Sequence, residues 1–436
     1  MPSLLPRALR RSARDLPFSI FLVTVGLCLF RTTDLPSIDV AVGGTELALG
    51  PTDLALVATA VLAALRLRTR RTVPSPWLLA AAGAFALLIA VSAIPNSAMA
   101  FSAAGKLAEL AALTLAAAAF LDTRARLWAL LVLLVGFCAV AAAWAVVGFV
   151  VDGGGRQGAF LGEHDFAALA TMAVVVGLAY VYARSGRPPA LAVTGIVVGA
   201  FGIVLGASLA SLLGLYLAAL ALLTVAALRH AISRRAVLST LAVCTVVTAG
   251  TLALRSGELG FLQSWFGPPP ETPGQYAASW SHRLVYAYVG GRVFLDNPVV
   301  GTGWEGELPP SDYAEYLPAA RSRFDDQPPH YFPPEEGTFI PQQTYDQVLM
   351  QLGLVGGAAF LVVAILTVRR AIGAGRRWSG GRFEEQAYVP AGWVGSSGGA
   401  MAGAALFGGS PLAALFWLTV GVAAAAPLLA LDRDVA

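Results

Sequence analysis

Twelve apolar segments, each close to the roughly 17–25 residues that a membrane-crossing helix needs, constrain this chain more than any other feature. Inside a bilayer, every backbone N–H and C=O group must be satisfied within its own segment, so such runs form helices. We therefore predict an all-α, polytopic membrane protein with about twelve transmembrane helices. The segments are 16–33, 50–66, 76–95, 101–121, 126–150, 165–183, 189–206, 208–228, 236–254, 344–368, 389–408 and 411–431.

The composition agrees with this class and excludes a soluble domain. Hydrophobic residues make up 57% of the chain and charged residues 13%, whereas a soluble domain has roughly 45–50% and about 25%. Cys28, Cys138 and Cys244 all lie in apolar runs, where a cysteine is usually a small buried hydrophobe. The lipid bilayer is the expected partner, and no nucleic acid is expected.

The distribution of arginine predicts the orientation, because cytoplasmic loops carry an excess of Lys and Arg. With a cytoplasmic N-terminus, all but eight of the 29 basic residues fall in inside loops or tails. Both termini are therefore expected in the cytoplasm, and residues 255–340 outside the cytoplasmic membrane. The eight exceptions are Arg31, Lys106, Arg156, Arg255, Arg283, Arg292, Arg321 and Arg323.

This topology divides the chain into three parts. Residues 1–254 are expected to form helices 1–9, residues 255–340 an extracytoplasmic loop with an amphipathic helix, and residues 341–436 helices 10–12. The junction Gly206-Ala207-Ser208 is either a tight turn or a break in one long helix. Lys106 and Glu109 are three residues apart and are expected to form a structural ion pair on one helix face.

One long polar excursion, between residues 280 and 357, is where we expect substrate to be handled, because apolar segments cannot host water-dependent chemistry. The apolar spacing over 276–296 predicts a helix that carries Arg283 and Arg292. Their nine-residue separation places them on opposite helix faces. We prefer Arg283 as an anion ligand, since arginine is disfavoured outside without such a role, and keep Arg292 as a second candidate.

A second outside arginine, Arg156, lies in a glycine-rich loop that also contains His164. Glycines let the backbone approach a ligand closely, which would suit anion binding. The alternative is a solvated arginine at the membrane interface.

The long loop combines carboxylates with Trp and Tyr residues, which suits sugar rings but also describes a plain solvated loop. It contains no Asp-x-Asp pair, and the four histidines of the chain lack metal-ligand spacing. We therefore predict metal-independent chemistry without a cofactor.

The order of several motifs resembles the bacterial O-antigen ligase and polymerase family. The stretch from Arg156 through Phe160 and His164 to Ala167 is similar to an earlier loop of that family. With the spans and the outside loop, the resemblance covers most of the chain. The later motifs are Arg283-x-x-Tyr286, Asn297-Pro298-x-x-Gly301-x-Gly303 and Thr344-Tyr345-x-x-x-Leu349-x-Gln351-Leu-Gly353-Leu-Val-Gly356.

The resemblance implies a glycosyltransferase that uses a polyprenyl diphosphate-linked glycan as donor. The acceptor would be a glycan (polymerase) or a lipid or protein (ligase), on the outer face of the cytoplasmic membrane. Diphosphate is a good leaving group when arginine holds its charge. We expect Arg156 and Arg283 to bind it, with His164 and, when protonated, His282 as further substrate-binding candidates.

Two positions depart from the family pattern. Gln342-Gln343 stand where the family has His-Asn, and Gln351 replaces a later Glu. Neutral amides cannot act as general bases at ordinary pH. Another residue must therefore deprotonate the acceptor hydroxyl.

His330 is the expected substitute base, because it precedes the usual position in a Pro-rich stretch. The carboxylate alternatives are Glu335, Glu336 and Asp346. Gln342, Gln343 and Tyr345 are expected to contact substrate.

Two other classes of function fit parts of the sequence. Twelve spans are compatible with a transporter or flippase of lipid-linked or amphipathic cargo, although no internal repeat or paired broken helices support it. The glutamine substitutions would also fit a catalytically silent binding protein.

Overall fold

A computed structural model describes residues 15–31, 35–42, 45–70, 72–183, 189–255, 278–325, 327–381 and 383–431. Two strands, β1 (Ile38–Val42) and β2 (Thr45–Leu49), form an antiparallel pair. Short 3-10 helices cover Ala314–Tyr316, Pro329–Tyr331 and Glu384–Ala387. The α-helices are α1 (Leu16–Cys28), α2 (Pro51–Arg68), α3 (Pro76–Ser92), α4 (Ala98–Glu109), α5 (Ala111–Phe120), α6 (Arg124–Val151), α7 (Glu163–Tyr182), α8 (Ala190–Gly206), α9 (Leu209–Leu228), α10 (Arg234–Leu254), α11 (Ala278–Asp296), α12 (Pro310–Tyr313), α13 (Leu317–Arg323), α14 (Thr344–Arg377), α15 (Val389–Ala400) and α16 (Pro411–Leu431).

The helices follow the predicted apolar segments closely. Within the described residues, seven stretches are long and apolar enough to cross a membrane: α4 with α5, α6, α7, α9, α10, α14 and α16. Helices α1, α3 and α8 are apolar but shorter. A multi-pass helical membrane protein is thus confirmed, while the count of twelve spans and the three-part division stay predictions.

A small β-hairpin accompanies the helices of this all-α protein. Its strands lie in the predicted outside loop between α1 and α2, with Ile38 opposite Leu49. The strands are separated in sequence by Gly43-Gly44, a residue pair that is typical of a two-residue hairpin turn. The hairpin is small and leaves the helical architecture unchanged.

The structure corrects the predicted span 389–408, because its helix is shorter than predicted. Helix α15 ends at Ala400, and residues 401–410 form a loop before α16 begins. Twelve residues of α-helix extend only about 18 Å, well short of the roughly 30 Å hydrocarbon core. The 401–410 loop is therefore expected to lie below the membrane surface.

The junction at residue 207 is a tight turn, one of the two predicted alternatives. Ala207 has φ 44°, α8 ends just before it, and α9 begins just after Ser208. The turn places the end of α8 and the start of α9 beside the start of α7.

Glycines allow the helices to pack closely, as their spacing predicts. A Cβ atom added at Gly199 on α8 would lie 2.5 Å from the carbonyl oxygen of Ala170 on α7. A Cβ atom at Gly395 on α15 would lie 2.6 Å from the backbone of Leu217 on α9. Helix α7 is at the centre, since 94% of its apolar stretch is buried inside the protein.

The loop before α14 has an apolar core of its own, built on Val285, Val289 and Val293 of α11. The Asn297–Gly303 turn attaches it to α14, because Gly303 N donates to Gln351 O at 2.9 Å and Leu354 N to Pro298 O at 2.8 Å. These contacts require a kink, and Gly353 supplies it with φ 58°. The kink thus fixes the loop over the membrane helices.

Candidate active site

Four arginines converge on His164, the second residue of α7. All lie within electrostatic range of its imidazole, and its Nδ1 atom is 3.2 Å from Ser208 Oγ. They come from the end of α1, the loop after α6, the end of α10 and from α11. We call this group the arginine cluster; its members are Arg31, Arg156, Arg255 and Arg283.

Arg283 is held by backbone groups and not by a carboxylate. Its Nη1 and Nη2 atoms donate to the carbonyl oxygens of Ala402 (3.2 Å) and Gly403 (3.1 Å). Burial, followed by the charges of Arg255 and Arg156, lowers the pKa of Arg283, yet an arginine stays protonated at neutral pH. Its positive charge thus has no anionic partner within the described part of the chain.

Arg156 is only partly satisfied. Its Nη2 atom pairs with Glu163 Oε2 at 2.5 Å, whereas its buried Nε–H has no hydrogen-bond partner. Buried donors are rarely left unpaired in native proteins. An anion bound in the cluster would supply the missing acceptor.

Arg31 and Arg255 complete the cluster from two other helix ends. Arg31 Nη2 lies 3.2 Å from Asp165 Oδ2, and Arg255 Nη1 donates to Ala207 O at 2.8 Å. The backbone of Gly162, with φ 91°, passes directly under Arg31, since an added Cβ atom would lie 2.6 Å from its Cζ atom. Only glycine fits at this position.

The 401–410 loop holds Arg283 and is itself bound to α14. Its Leu406 exchanges two hydrogen bonds with the buried Gln347 side chain, N to Oε1 at 2.8 Å and Nε2 to O at 3.1 Å. Thr344 Oγ1 donates to Ala404 O at 2.8 Å. Since Arg283 binds the same loop, α11 and α14 both position the site through it.

Next to Arg283, His282 lies among aromatic rings. Its ring centroid is 4.1 Å from that of Tyr286 and 6.0 Å from that of Tyr331, and its buried Nε2 atom has no hydrogen-bond partner. Burial, then Arg283 and His330, lowers its pKa below the ordinary 6.5. The imidazole is therefore expected to be neutral at pH 7, which disfavours the protonated form expected from the sequence.

The other predicted loop residues lie toward solvent. His330 is exposed, 4.6 Å from the Tyr331 ring. Glu335 pairs with Arg321 at 2.5 Å, and Glu336 is exposed. Arg292 is exposed on the Tyr288 ring, 5.4 Å from its centroid, and is not among the charges that act on His164 or Arg283.

Comparison with known families gives a match. Residues 194–361, which are 168 of the 436 residues, match the family model described as O-antigen ligase. This match supports the O-antigen ligase and polymerase family. The resemblance drawn from the motifs is thus confirmed, and the O-antigen ligase family supports glycan transfer at a membrane. Comparison with curated proteins gives no match.

Within the matched region, Gln351 has a structural role. The Gln351 Oε1 atom accepts from the N–H groups of Glu305 (3.4 Å) and Gly306 (3.3 Å), and its Nε2 atom donates to Gly306 O at 3.2 Å. A carboxylate could accept but not donate. At the position where the family pattern has Glu, Gln351 therefore makes a hydrogen bond to Gly306 O that an ionised Glu could not make.

Two of the remaining predicted positions, Gln342 and Tyr345, contact backbone groups. Gln342 Nε2 donates to Ile340 O at 3.3 Å, and Tyr345 Oη to Gly398 O at 2.6 Å. Gln343 precedes α14 without a side-chain capping bond, and half-buried Asp346 lies in its first turn.

Sequence reasoning missed several members of the site. Arg31 and Arg255 were both among the outside basic exceptions, so a signal for them existed. Ser208 and Gln347 gave none, because a polar residue in an apolar run has many structural explanations.

Proposed function

We propose that this protein is a membrane glycosyltransferase that moves a glycan from a polyprenyl diphosphate donor to a glycan, lipid or protein acceptor. Transfer would occur on the outer face of the cytoplasmic membrane. The arginine cluster carries this proposal, because Arg31 and Arg156 pair with the residues on either side of His164, together with the O-antigen ligase match. Arginine is the side chain best suited to phosphate oxygens, because its planar fork can donate two hydrogen bonds at once.

In this proposal the arginine cluster holds the diphosphate and stabilises it as it leaves. The bond between the anomeric carbon and the diphosphate oxygen breaks, and its electron pair stays on that oxygen. The acceptor oxygen forms the new bond to the anomeric carbon. Arg283 and the unpaired Nε–H of Arg156 would meet the charge that develops. The guanidinium groups then stabilise the negative charge of the leaving diphosphate, as a divalent cation does in metal-dependent enzymes. The reaction is therefore proposed to be metal-independent.

The acceptor hydroxyl loses its proton to a base, for which His282 is the best placed. Its lowered pKa keeps it ready to accept a proton, and its Nε2 atom is unpaired. A positioned base contributes about 10²–10⁴-fold to such a reaction. His330, which acts electrostatically on His282, is the second candidate. Glu335 is less suited, because Arg321 already binds it.

A transfer assay with the full chain in lipid vesicles tests the proposal. Arg283→Ala and Arg156→Ala should lower transfer at least tenfold while the protein stays folded, because each removes a charged hydrogen-bond donor worth about 1.5–3 kcal/mol. Arg323→Ala, an exposed arginine in the same loop, is the matched control. Full activity in both cluster variants, or movement of donor across the membrane without bond formation, would contradict the assignment.

The pH dependence of the same assay tests the base. Because only neutral His282 can accept a proton, transfer should fall on the acid side, with a midpoint below the ordinary 6.5. His282→Gln should remove this acid limb along with most activity. An unchanged limb in His282→Gln and its loss in His330→Gln would reassign the base to His330. Product length separates the two modes, since a polymerase yields a ladder and a ligase single additions.

A further inference from the structure

An arginine-lined cavity lies at the opposite end of α14 from the arginine cluster. Its volume is about 450 Å³, and it is bounded by the ends of α14 and α16 and the start of α3. We call it the α14 end cavity. Its lining includes Trp77, Leu366, Arg369, Arg370, Gly373 and Arg377.

The three guanidinium groups of this cavity have no partner among the residues that the structure describes. Within the described residues, none of Arg369, Arg370 and Arg377 has a carboxylate or a side-chain hydrogen bond. Some other arginines on the same, arginine-rich side of the membrane are paired, as Arg66 with Asp122 (2.7 Å) and Arg229 with Glu384 (2.8 Å). The general preference for arginine on this side explains the charges, but not why three of them line one cavity.

The helix face behind the cavity is shaped to leave it open. Leu366, Arg370, Gly373 and Arg377 follow one another at three- or four-residue intervals, so they share a face of α14. A Cβ atom added at Gly373 would meet no atom within 4 Å. Packing therefore does not require glycine at this position, and its small size enlarges the cavity.

We propose that the α14 end cavity binds the head group of an anionic phospholipid. The arginines supply the charge complement for a phosphate, since basic pockets between membrane helices on the cytoplasmic side suit such head groups. The apolar wall, with Leu366 and Leu431, suits acyl chains better than a free ion. Trp77 is 75% exposed at the edge, as expected of a tryptophan at the membrane interface.

The site is separate from the proposed transfer chemistry, because it lies at the far end of a 34-residue helix. It would anchor α14, whose other end holds the 401–410 loop through Gln347. The sequence predicts that this end faces the cytoplasm, where anionic lipid head groups are abundant.

Lipid binding to the purified full-length protein tests this proposal by native mass spectrometry and thermal unfolding. Phosphatidylglycerol should bind and raise the melting temperature more than phosphatidylcholine. Each arginine should account for about fivefold in affinity, so Arg370→Gln/Arg377→Gln should weaken binding of phosphatidylglycerol roughly 25-fold.

Two further variants separate the cavity from general surface charge. Gly373→Leu fills the cavity without changing charge and should also abolish the preference for phosphatidylglycerol. Arg376→Gln removes a neighbouring exposed arginine that does not line the cavity, and it should bind as the unmodified protein does. Equal loss in Arg376→Gln, full binding in Gly373→Leu, or an equal thermal shift with inorganic phosphate alone would overturn the proposal.

Discussion

The attraction of an arginine for an anion depends on the groups that already contact its guanidinium group. Arg283 receives two neutral carbonyl oxygens, whereas Arg156 and Arg31 each meet a carboxylate. Carbonyl dipoles hold the side chain in place without cancelling its charge, and so Arg283 keeps most of its attraction for an anion. Single residues at this site therefore differ in role even though they share one chemistry.

Glu305 offers a test of stability at the residue scale. Burial, followed by the charge of Asp312, raises its pKa from 4.5 to about 7. The folded protein thus keeps this proton between those pH values while the unfolded chain loses it, so Glu305 should make the protein less stable as pH rises from 4.5 to 7. In Glu305→Gln this part of the decline should disappear.

The measurement is the melting temperature of both proteins across pH 4.5 to 8, the range that the raised pKa of Glu305 defines. Glu307→Gln, a more exposed carboxylate two residues away, is the control. Parallel curves for Glu305→Gln and the unmodified protein would show that this carboxyl group ionises normally.

Gly162→Ala should damage the arginine cluster directly. The position has φ 91° and ψ 153°, which costs a residue with a side chain about 1–3 kcal/mol, and the methyl group would displace Arg31. We expect a lower melting temperature and reduced transfer. Gly26→Ala on α1, where an added Cβ atom meets nothing within 4 Å, should be neutral or stabilising. Equal stability of the two variants would contradict the strained geometry.

At the scale of elements, the 401–410 loop depends on α14 for its hydrogen bonds. Gln347→Leu would leave the N–H and C=O groups of Leu406 without partners, and each unsatisfied buried group costs about 1–3 kcal/mol. We expect a clear loss of thermal stability together with a loss of transfer. Gln342→Leu, which removes one exposed bond, is the matched control, and an equal effect of both would deny the loop its dependence on α14.

The helices were largely predictable from the sequence, but the loops that connect them were not. Backbone satisfaction in lipid forces apolar runs into helices, which is why α9 and α16 begin within a residue or so of their predicted starts. The end of α15 at Ala400 was missed, because residues 401–408 are as apolar as a span. Only tertiary contacts, such as those of Gln347 and Thr344, stabilise a loop there.

The candidate site shows the same limit. Loop arginines could be singled out because they violate a charge bias, and Arg156 and Arg283 do lie in one cluster. The lowered pKa of His282 could not be foreseen, since its largest cause is burial, among Tyr286 and Tyr331. Spatial neighbours far apart in sequence set such properties.

At the scale of the whole molecule, orientation in the membrane is the prediction that matters most. The native cysteines are all buried, so single introduced cysteines can report sidedness against a low background. Ser311→Cys in the long loop should react with a membrane-impermeant maleimide in intact cells. Arg234→Cys at the start of α10 should react only after permeabilisation, and the reverse pattern would invert the topology.

The early stop of α15 has a consequence for how a lipid substrate would travel. Because α15 covers little more than half of the hydrocarbon thickness, the 401–410 loop and the Arg283 side chain bound to it are expected below the membrane surface. A carrier lipid would then enter laterally from the bilayer, with its phosphates at that depth. The polyprenyl diphosphate left after transfer would leave by the same route. No step would extract an isoprenoid tail into water, so we expect turnover to proceed without an external energy source.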